Sequence, residues 1–280
     1  MEYKTIVVHL DAHPRRMARM EIALRIAAQN AGHLVGLYAT DAIPMPRYAG
    51  ADWSTALVEA GEQQMETARN EAQVAFHAAV AQYPDVSCEW REDASGAVGA
   101  VSLSARYADL VIAAQHEPDA DLDSRVGARF AENLVLAIST PLLVIPYAGS
   151  FSKVGERVLL AWDASPQAFR AATAALPFLK QAREVQVTVF DPDKHRQAHG
   201  ELPGADITLY LSRHGVKASV SQQRSVEGDI GCAILSRAAD QSADLIVMGA
   251  YGHSRAKERV LGGATRTIFE SMTAPVLMCH

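Results

Sequence analysis

The chain has 280 residues, 49% of them hydrophobic and 21% charged, which is the balance of an ordinary globular protein and argues against both disorder and residence in a membrane. A formal net charge of -6 argues against broad binding to nucleic acid or to an anionic membrane surface. Three widely spaced cysteines, Cys88, Cys232 and Cys279, form neither a disulfide framework nor a zinc pattern. The longest apolar stretch, Asn133 to Ile145, is interrupted by Ser139, Thr140 and Pro141 and is shorter than the roughly 20 residues of a spanning helix. The start, Met1-Glu-Tyr-Lys-Thr-Ile-Val-Val, lacks the basic flank and cleavage site of a signal peptide, so a cytoplasmic location is expected.

Taken in order, the predicted elements repeat. Ile6 to Asp11 reads as an apolar strand ending in aspartate, with Pro14 three residues on. Met17, Met20, Leu24, Ala27 and Ala31 then recur at helical spacing up to Gly32. Leu34 to Ala39 is a second strand, Val86 to Arg91 a third, Gly96 to Tyr107 a helix and Ala108 to Ala114 a fourth strand. A further helix precedes a last strand, Leu142 to Ile145. After Tyr147 to Gly155, whose glycines and serines read as a linker, the pattern starts again.

Val158 to Asp163 is again a strand ending in aspartate, with Ser165 as N-cap and Pro166 in the first helical turn. That helix is expected to reach about Ala182, with a kink at Pro177. Strands at Val185 to Phe190, Val216 to Gln222 and Ala243 to Gly249, a helix from Asp229 to Gln241, another from Thr265 to Met272 and a strand from Val276 to Cys279 complete the second copy. Strands alternating with helices predict parallel sheets covered on both faces, in two domains, 1–147 and 154–280. The copies are offset by 152 residues at Asp11 and Asp163 but by 135 at Asp109 and Asp244, so the first carries 17 extra residues. They are assigned to Asp41 to Ala60, a segment with Pro44, Pro46, Tyr48 and Trp53, read by default as a loop, with a lid or partner surface as alternatives.

The chemistry concentrates after the fourth strand of the second copy, in Gly249-x2-Gly252-x9-Gly262-Gly263-Ala264-Thr265. Glycines admit close approach to the main chain, and the first N–H groups of the following helix have no internal partner and favour an anion. A nucleotide is the ligand this pattern suggests. Between the glycines lie His253, Arg255, Lys257 and Arg259, a basic run that reads either as phosphate contacts or as a solvated face. In the first copy Ala114 replaces Gly249, and Glu117, Asp119, Asp121 and Asp123 stand where the other copy has cations. The expectation is therefore one competent site, in the C-terminal half.

Two copies of a five-strand unit, a first-strand aspartate and this glycine spacing resemble a tandem member of the universal stress protein family. The resemblance implies an α/β fold of two tandem doubly wound five-stranded parallel sheets, Rossmann-like and adenine nucleotide alpha hydrolase-like, each in the order 3-2-1-4-5 and joined as an internal pseudo-dimer through the fifth strands. It implies ATP, with Mg2+ as a further ligand, at the carboxyl ends of strands one and four. Carried onto this chain, Ala161, Trp162 and Asp163 would meet the adenine end, Val189 would pack against the base, and Met248 and Gly249 would line the crevice. Gly252, Gly262, Gly263, Ala264 and Thr265 would hold ribose and phosphates, with His253 and Arg255 nearby. Gly263 departs from the Ser or Thr usual in ATP-binding members, which removes one hydroxyl donor, about 0.5–1.5 kcal/mol.

The residues have plainer readings too: Asp163 as a turn residue and Trp162 as core. His9, Asp11 and His13 alternate but lack a fourth metal ligand, and the acids of 117–123 lack the glycine of a calcium loop, so no metal site is expected. The function implied is a nucleotide-dependent stress-response module with a protein partner and no nucleic-acid or membrane partner; further self-association is left open. No Walker A lysine and no nucleophile elbow occur, and His253 and Asp163 are the only candidate proton handlers, whose proximity spacing alone does not establish. A slow ATP hydrolase or nucleotidyl-transfer enzyme and a nucleotide-free scaffold are the rival readings.

Overall fold

A computed structural model describes residues 2–13, 15–41, 51–118, 126–195, 202–226, 228–251 and 263–280, the side chains of 51–58, 194 and 195 apart. In the first half, β1 (Thr5–Leu10), α1 (Arg16–Asn30), β2 (His33–Ala39), α2 (Ala51–Val80), β3 (Ser87–Asp93), α3 (Ala97–Ala105), β4 (Leu110–Ala114), α4 (Phe130–Ala137) and β5 (Leu142–Ile145) follow in turn. The second half contains β6 (Arg157–Trp162), α5 (Pro166–Ala174), α6 (Leu176–Gln181), β7 (Glu184–Phe190), α7 (Ala205–Arg213), β8 (Ala218–Gln223), α8 (Ile230–Asp240), β9 (Leu245–Gly249), α9 (Gly263–Ser271) and β10 (Val276–Cys279).

The ten strands make one sheet in the order β3-β2-β1-β4-β5-β10-β9-β6-β7-β8. Each half is parallel in the expected order, and the halves meet where β5 and β10 pair antiparallel, Leu143 opposite Leu277. Both strands are apolar and wholly buried, because each is an interior strand of the joined sheet. Two apolar layers cover the faces: α1, α2, α5 and α7 lie over one, α3, α4, α8 and α9 over the other.

The repeated Asp109 and Asp244 have a structural use. Asp109 Oδ2 accepts from the N–H groups of Lys4 and Thr5, at 2.8 and 2.9 Å. Asp244 accepts from those of Gly155, Glu156 and Arg157. Each carboxylate thus holds the start of its half's first strand beside the fourth.

Local signals correspond closely to the helices of the second half. Ser165 is the N-cap of α5, its Oγ accepting from Ala168 N at 3.1 Å, and Pro166 follows at the first position. The proline at 177 splits the predicted helix into α5 and α6 at Ala175, since it can neither donate nor fit behind the preceding turn. In α1, Met20, Leu24 and Ala27 are buried as expected, but Met17 and Ala31 are exposed. Ala31 has left the helix for the left-handed region, at φ 46°, and Pro14 lies outside the described residues.

The expected loop over 41–60 is corrected in part. Residues 51–60 open the 30-residue helix α2, whose sequence, rich in Ala, Glu and Gln and free of proline, favours that state. Gly36 on β2 makes room for this helix: a Cβ there would lie 2.4 Å from the Phe76 ring. Pro44, Pro46 and Tyr48 lie outside the described residues.

Candidate functional site

A doubly wound sheet opens a crevice where strand order reverses, beyond the carboxyl ends of its first and fourth strands. This protein has two such places, at β6 and β9 and at β1 and β4.

In the second half, β6 delivers Ala161, Trp162 and Asp163 to the crevice. Ala161 is buried, Trp162 packs against the core beneath α5, and Asp163 is half-buried with its Oδ1 accepting from Ser165 N at 2.9 Å. The turn after Asp163 is tight, with Ala164 at φ 59°. Asp163 is therefore the turn residue of the plainer reading and also stands at the crevice. Val189 on β7 and Met248 on β9 are buried below it.

Gly249 has a reason that differs from ligand approach. A Cβ there would lie 2.5 Å from Ala168 N and 2.9 Å from Gln167 C, so glycine is what allows α5 to begin against the end of β9. In the first half α1 starts at Arg16, the repeat counterpart of Ala168 and two residues later than Pro166, and there Ala114 fits.

Beyond Gly249 the chain turns at Tyr251, φ 58°, whose N–H donates to Thr265 Oγ1 at 3.3 Å. That bond ties the exit of β9 to the first turn of α9 and places Thr265 in the interior. Gly263 opens α9 with nothing within 4 Å of an added Cβ, and Ala264 is half-buried. Gly252, His253, Arg255, Lys257, Glu258, Arg259 and Gly262 lie outside the described residues. The structure thus places Asp163 just beyond β6 and Gly249 at the end of the neighbouring β9, whose exit is tied to α9 through Tyr251 and Thr265; Val189, Met248 and Thr265 are buried.

The first-half crevice is filled by one ion pair, Arg19 with Asp11, and by a His13–Glu117 contact. Asp11 Oδ1 accepts from Arg19 Nη2 at 2.6 Å, with Asp11 only 5% and Arg19 2% exposed, and also from the N–H of His13 at 3.1 Å. Burial alone would raise the Asp11 pKa, but the Arg19 charge, His9 and these hydrogen bonds outweigh it and hold it below the ordinary range. His13 Nδ1 accepts from the N–H of Arg15, so Nε2 carries the proton that faces Glu117 Oε2 at 2.6 Å. Burial depresses the pKa of His9, whose Nε2 lies 2.8 Å from the Ala39 carbonyl. Together with Ala114, Gln115, Phe130 and Ile145, these residues enclose a cavity of about 50 Å³.

Arg19 was not singled out in the sequence. Its signal is the repeat itself, because the offset of 152 residues sets Arg19 against Ala171, an arginine against an alanine on a buried helix face. Gln115 was missed as well. Its Nε2 donates to the Phe269 carbonyl at 2.8 Å, at the C-terminal end of α9, and its Oε1 accepts from Tyr147 N at 3.2 Å. One side chain thereby links the first crevice to the helix that borders the second. Among the described residues no cluster of His, Cys, Asp and Glu could hold a metal, and no helix is long and apolar enough to cross a membrane.

Fold and topology define a tandem doubly wound α/β protein. Residues 155–280 match the model of the Universal stress protein family. A Universal stress protein, Slr1230, from Synechocystis sp. is 31% identical over 148 residues, covering 52% of this chain and 49% of that protein, so the match takes in about half the relative's length. Among solved structures, a universal stress protein from Archaeoglobus fulgidus superposes with TM-score 0.67 at 16% identity, covering 98% of this chain and 97% of that one. A protein of unknown function from Pseudomonas aeruginosa superposes with TM-score 0.58 at 15% identity, covering 98% and 92%. The match to the universal stress protein family in sequence is carried by the second half, residues 155–280, and the whole chain shares the tandem fold of these structures.

Proposed function

We propose that the protein is a nucleotide-dependent regulatory module of the stress-response type, with one adenine-nucleotide site in its C-terminal half, residues 154–280, and a degenerate site in residues 1–147. The observation that carries this reading is the start of α9 beside the end of β9, tied there by the bond from Tyr251 N–H to Thr265 Oγ1. In the first half Arg19 fills the crevice and pairs with Asp11; in the second, Ala171 stands at that repeat position, and Asp163, half-buried, accepts from Ser165 N. A carboxylate in that setting is a good acceptor for the amino group of a base. The open start of α9 at Gly263 suits an anion, because its first N–H groups have no partner inside the helix.

In this reading Asp163 orients adenine, with Ala161 and Trp162 beside it and Val189 and Met248 beneath. Gly252, Gly262, Gly263 and Ala264 offer backbone N–H groups to the phosphates, and His253 and Arg255 supply positive charge. ATP, with Mg2+ on its phosphates, is the ligand these groups fit. Its binding stabilises whichever arrangement of the crevice holds it better, and a protein partner reads that arrangement. Three free cysteines suit a reducing, cytoplasmic setting.

Calorimetric titration with MgATP tests this directly. Gly262→Val is expected to abolish binding, since a side chain blocks main-chain approach, and Asp163→Ala to weaken it at least tenfold. Unchanged affinity in Gly262→Val would remove the site.

A further inference from the structure

The first-half crevice, too small for a nucleotide, still contains chemistry that the fold does not use. Its volume of about 50 Å³ compares with roughly 10–15 Å³ for one water, so it has room for a group of a few heavy atoms. Two of its lining side chains, His9 and Arg19, are more than nine-tenths buried, and each has a polar atom with no partner: His9 Nδ1 and Arg19 Nε. Buried polar atoms in native proteins are normally satisfied, so two in one cavity mark a missing partner.

The other atoms of each ring or fork fix what that partner must offer. The Ala39 carbonyl can only accept, so His9 Nε2 holds the proton and Nδ1 presents a lone pair. Arg19 Nε–H can only donate. The missing partner therefore donates to one and accepts from the other. It also has no charge to neutralise, because the lining pairs two cations with two anions: Arg19 is bound to Asp11, and Arg15 stands in the same lining as Glu117, whose carboxylate faces the neutral His13. Phe130, whose ring lies 4.5 Å from that of His9, together with Ala131, Ile145 and Pro146, gives the rest of the cavity an apolar wall.

We propose that this crevice is a second binding site, for a small uncharged molecule that carries an N–H or O–H donor beside a carbonyl acceptor, a primary carboxamide in its simplest form. The amide N–H meets His9 Nδ1, the amide oxygen meets Arg19 Nε–H, and a short alkyl end lies against Phe130 and Ile145. A carboxylate of the same shape is rejected, since it lacks the donor and adds an unbalanced buried charge.

The test uses the full chain, labelled with 15N and titrated with acetamide at millimolar concentrations, with acetate as the charged analogue. Saturable shifts at Gln115, Phe130 and Ala131 are expected with acetamide and not with acetate. The His9 Nδ1 resonance of the unaltered protein should move in the sense of accepting a hydrogen bond. His9→Phe should weaken acetamide at least tenfold while retaining the native far-ultraviolet circular dichroism. Should His9→Phe disturb the fold, the Nδ1 resonance of the unaltered protein decides alone. The proposal is overturned by an Nδ1 signal that stays put, by acetate binding as tightly as acetamide, by equal affinity in a folded His9→Phe, or by a crystal soaked in acetamide that shows only water on these two atoms.

Discussion

Arg19 and Ala171 occupy the same place in the two copies, and the difference sets the electrostatics of each crevice. Removing one partner of a buried ion pair leaves the other charge stranded, typically at about 3–5 kcal/mol, whereas replacing both by apolar groups is often close to neutral. Arg19→Met should therefore lower the free energy of urea unfolding by about 3–5 kcal/mol. The double variant Asp11→Leu, Arg19→Met should recover most of it; a double variant as unstable as the single would show that the pair does more than balance charge. His9 adds a pH dependence of defined sign. Burial holds its folded pKa below the ordinary 6.5, so as pH falls through about 6.5 the unfolded chain takes up a proton that the folded chain refuses, and stability declines. Asp11 works lower down: its folded pKa lies below 3.8, so its contribution is intact above that value and is lost as pH falls through the folded pKa. Urea midpoints measured from pH 7 to pH 5 should fall in the unaltered protein and fall less steeply in His9→Phe. Parallel slopes would assign the effect to other groups.

Secondary structure was legible where a local rule governs it. The strands at Leu142–Ile145 and Val276–Cys279, the cap at Ser165 and the break at Pro177 each follow from the residues at hand. Gly249 shows where such reading stops: its pattern suggested ligand approach, but the need for glycine comes from the backbone of Gln167 and Ala168, 82 and 81 residues away in sequence and touching only in the fold. Gly249→Val should accordingly destabilise the protein by about 1–3 kcal/mol in thermal or urea unfolding even without nucleotide, as overpacking does. A variant as stable as the parent, with binding lost, would restore the ligand explanation. The segment 51–60 illustrates another limit. The prolines before it pointed to a loop, while the helix propensity of the thirty residues 51–80 made it the first part of α2.

At the scale of the molecule the halves form one sheet, and side chains fasten the joint. Tyr3 donates its hydroxyl to the Ala174 carbonyl at 2.7 Å, Arg25 donates to the Phe151 carbonyl of the linker at 2.6 Å, and Gln115 reaches α9. None of these was legible in the sequence, because a hydrogen bond between residues 126 to 171 positions apart leaves no periodic trace. Gln115→Ala strands the Phe269 carbonyl and the Tyr147 N–H and should cost about 1–3 kcal/mol in urea unfolding; a loss below about 0.5 kcal/mol would mean the joint holds without it. The tandem plan, by contrast, was legible, since the sequence repeats its own punctuation, and the strand order followed from the family resemblance. The asymmetry between the copies is the central claim, and calorimetric titration of the intact protein with MgATP measures it most directly. The account predicts saturation at one nucleotide per chain, with the stoichiometry unchanged in Ala114→Gly; a value of two, or no binding at all, would contradict it.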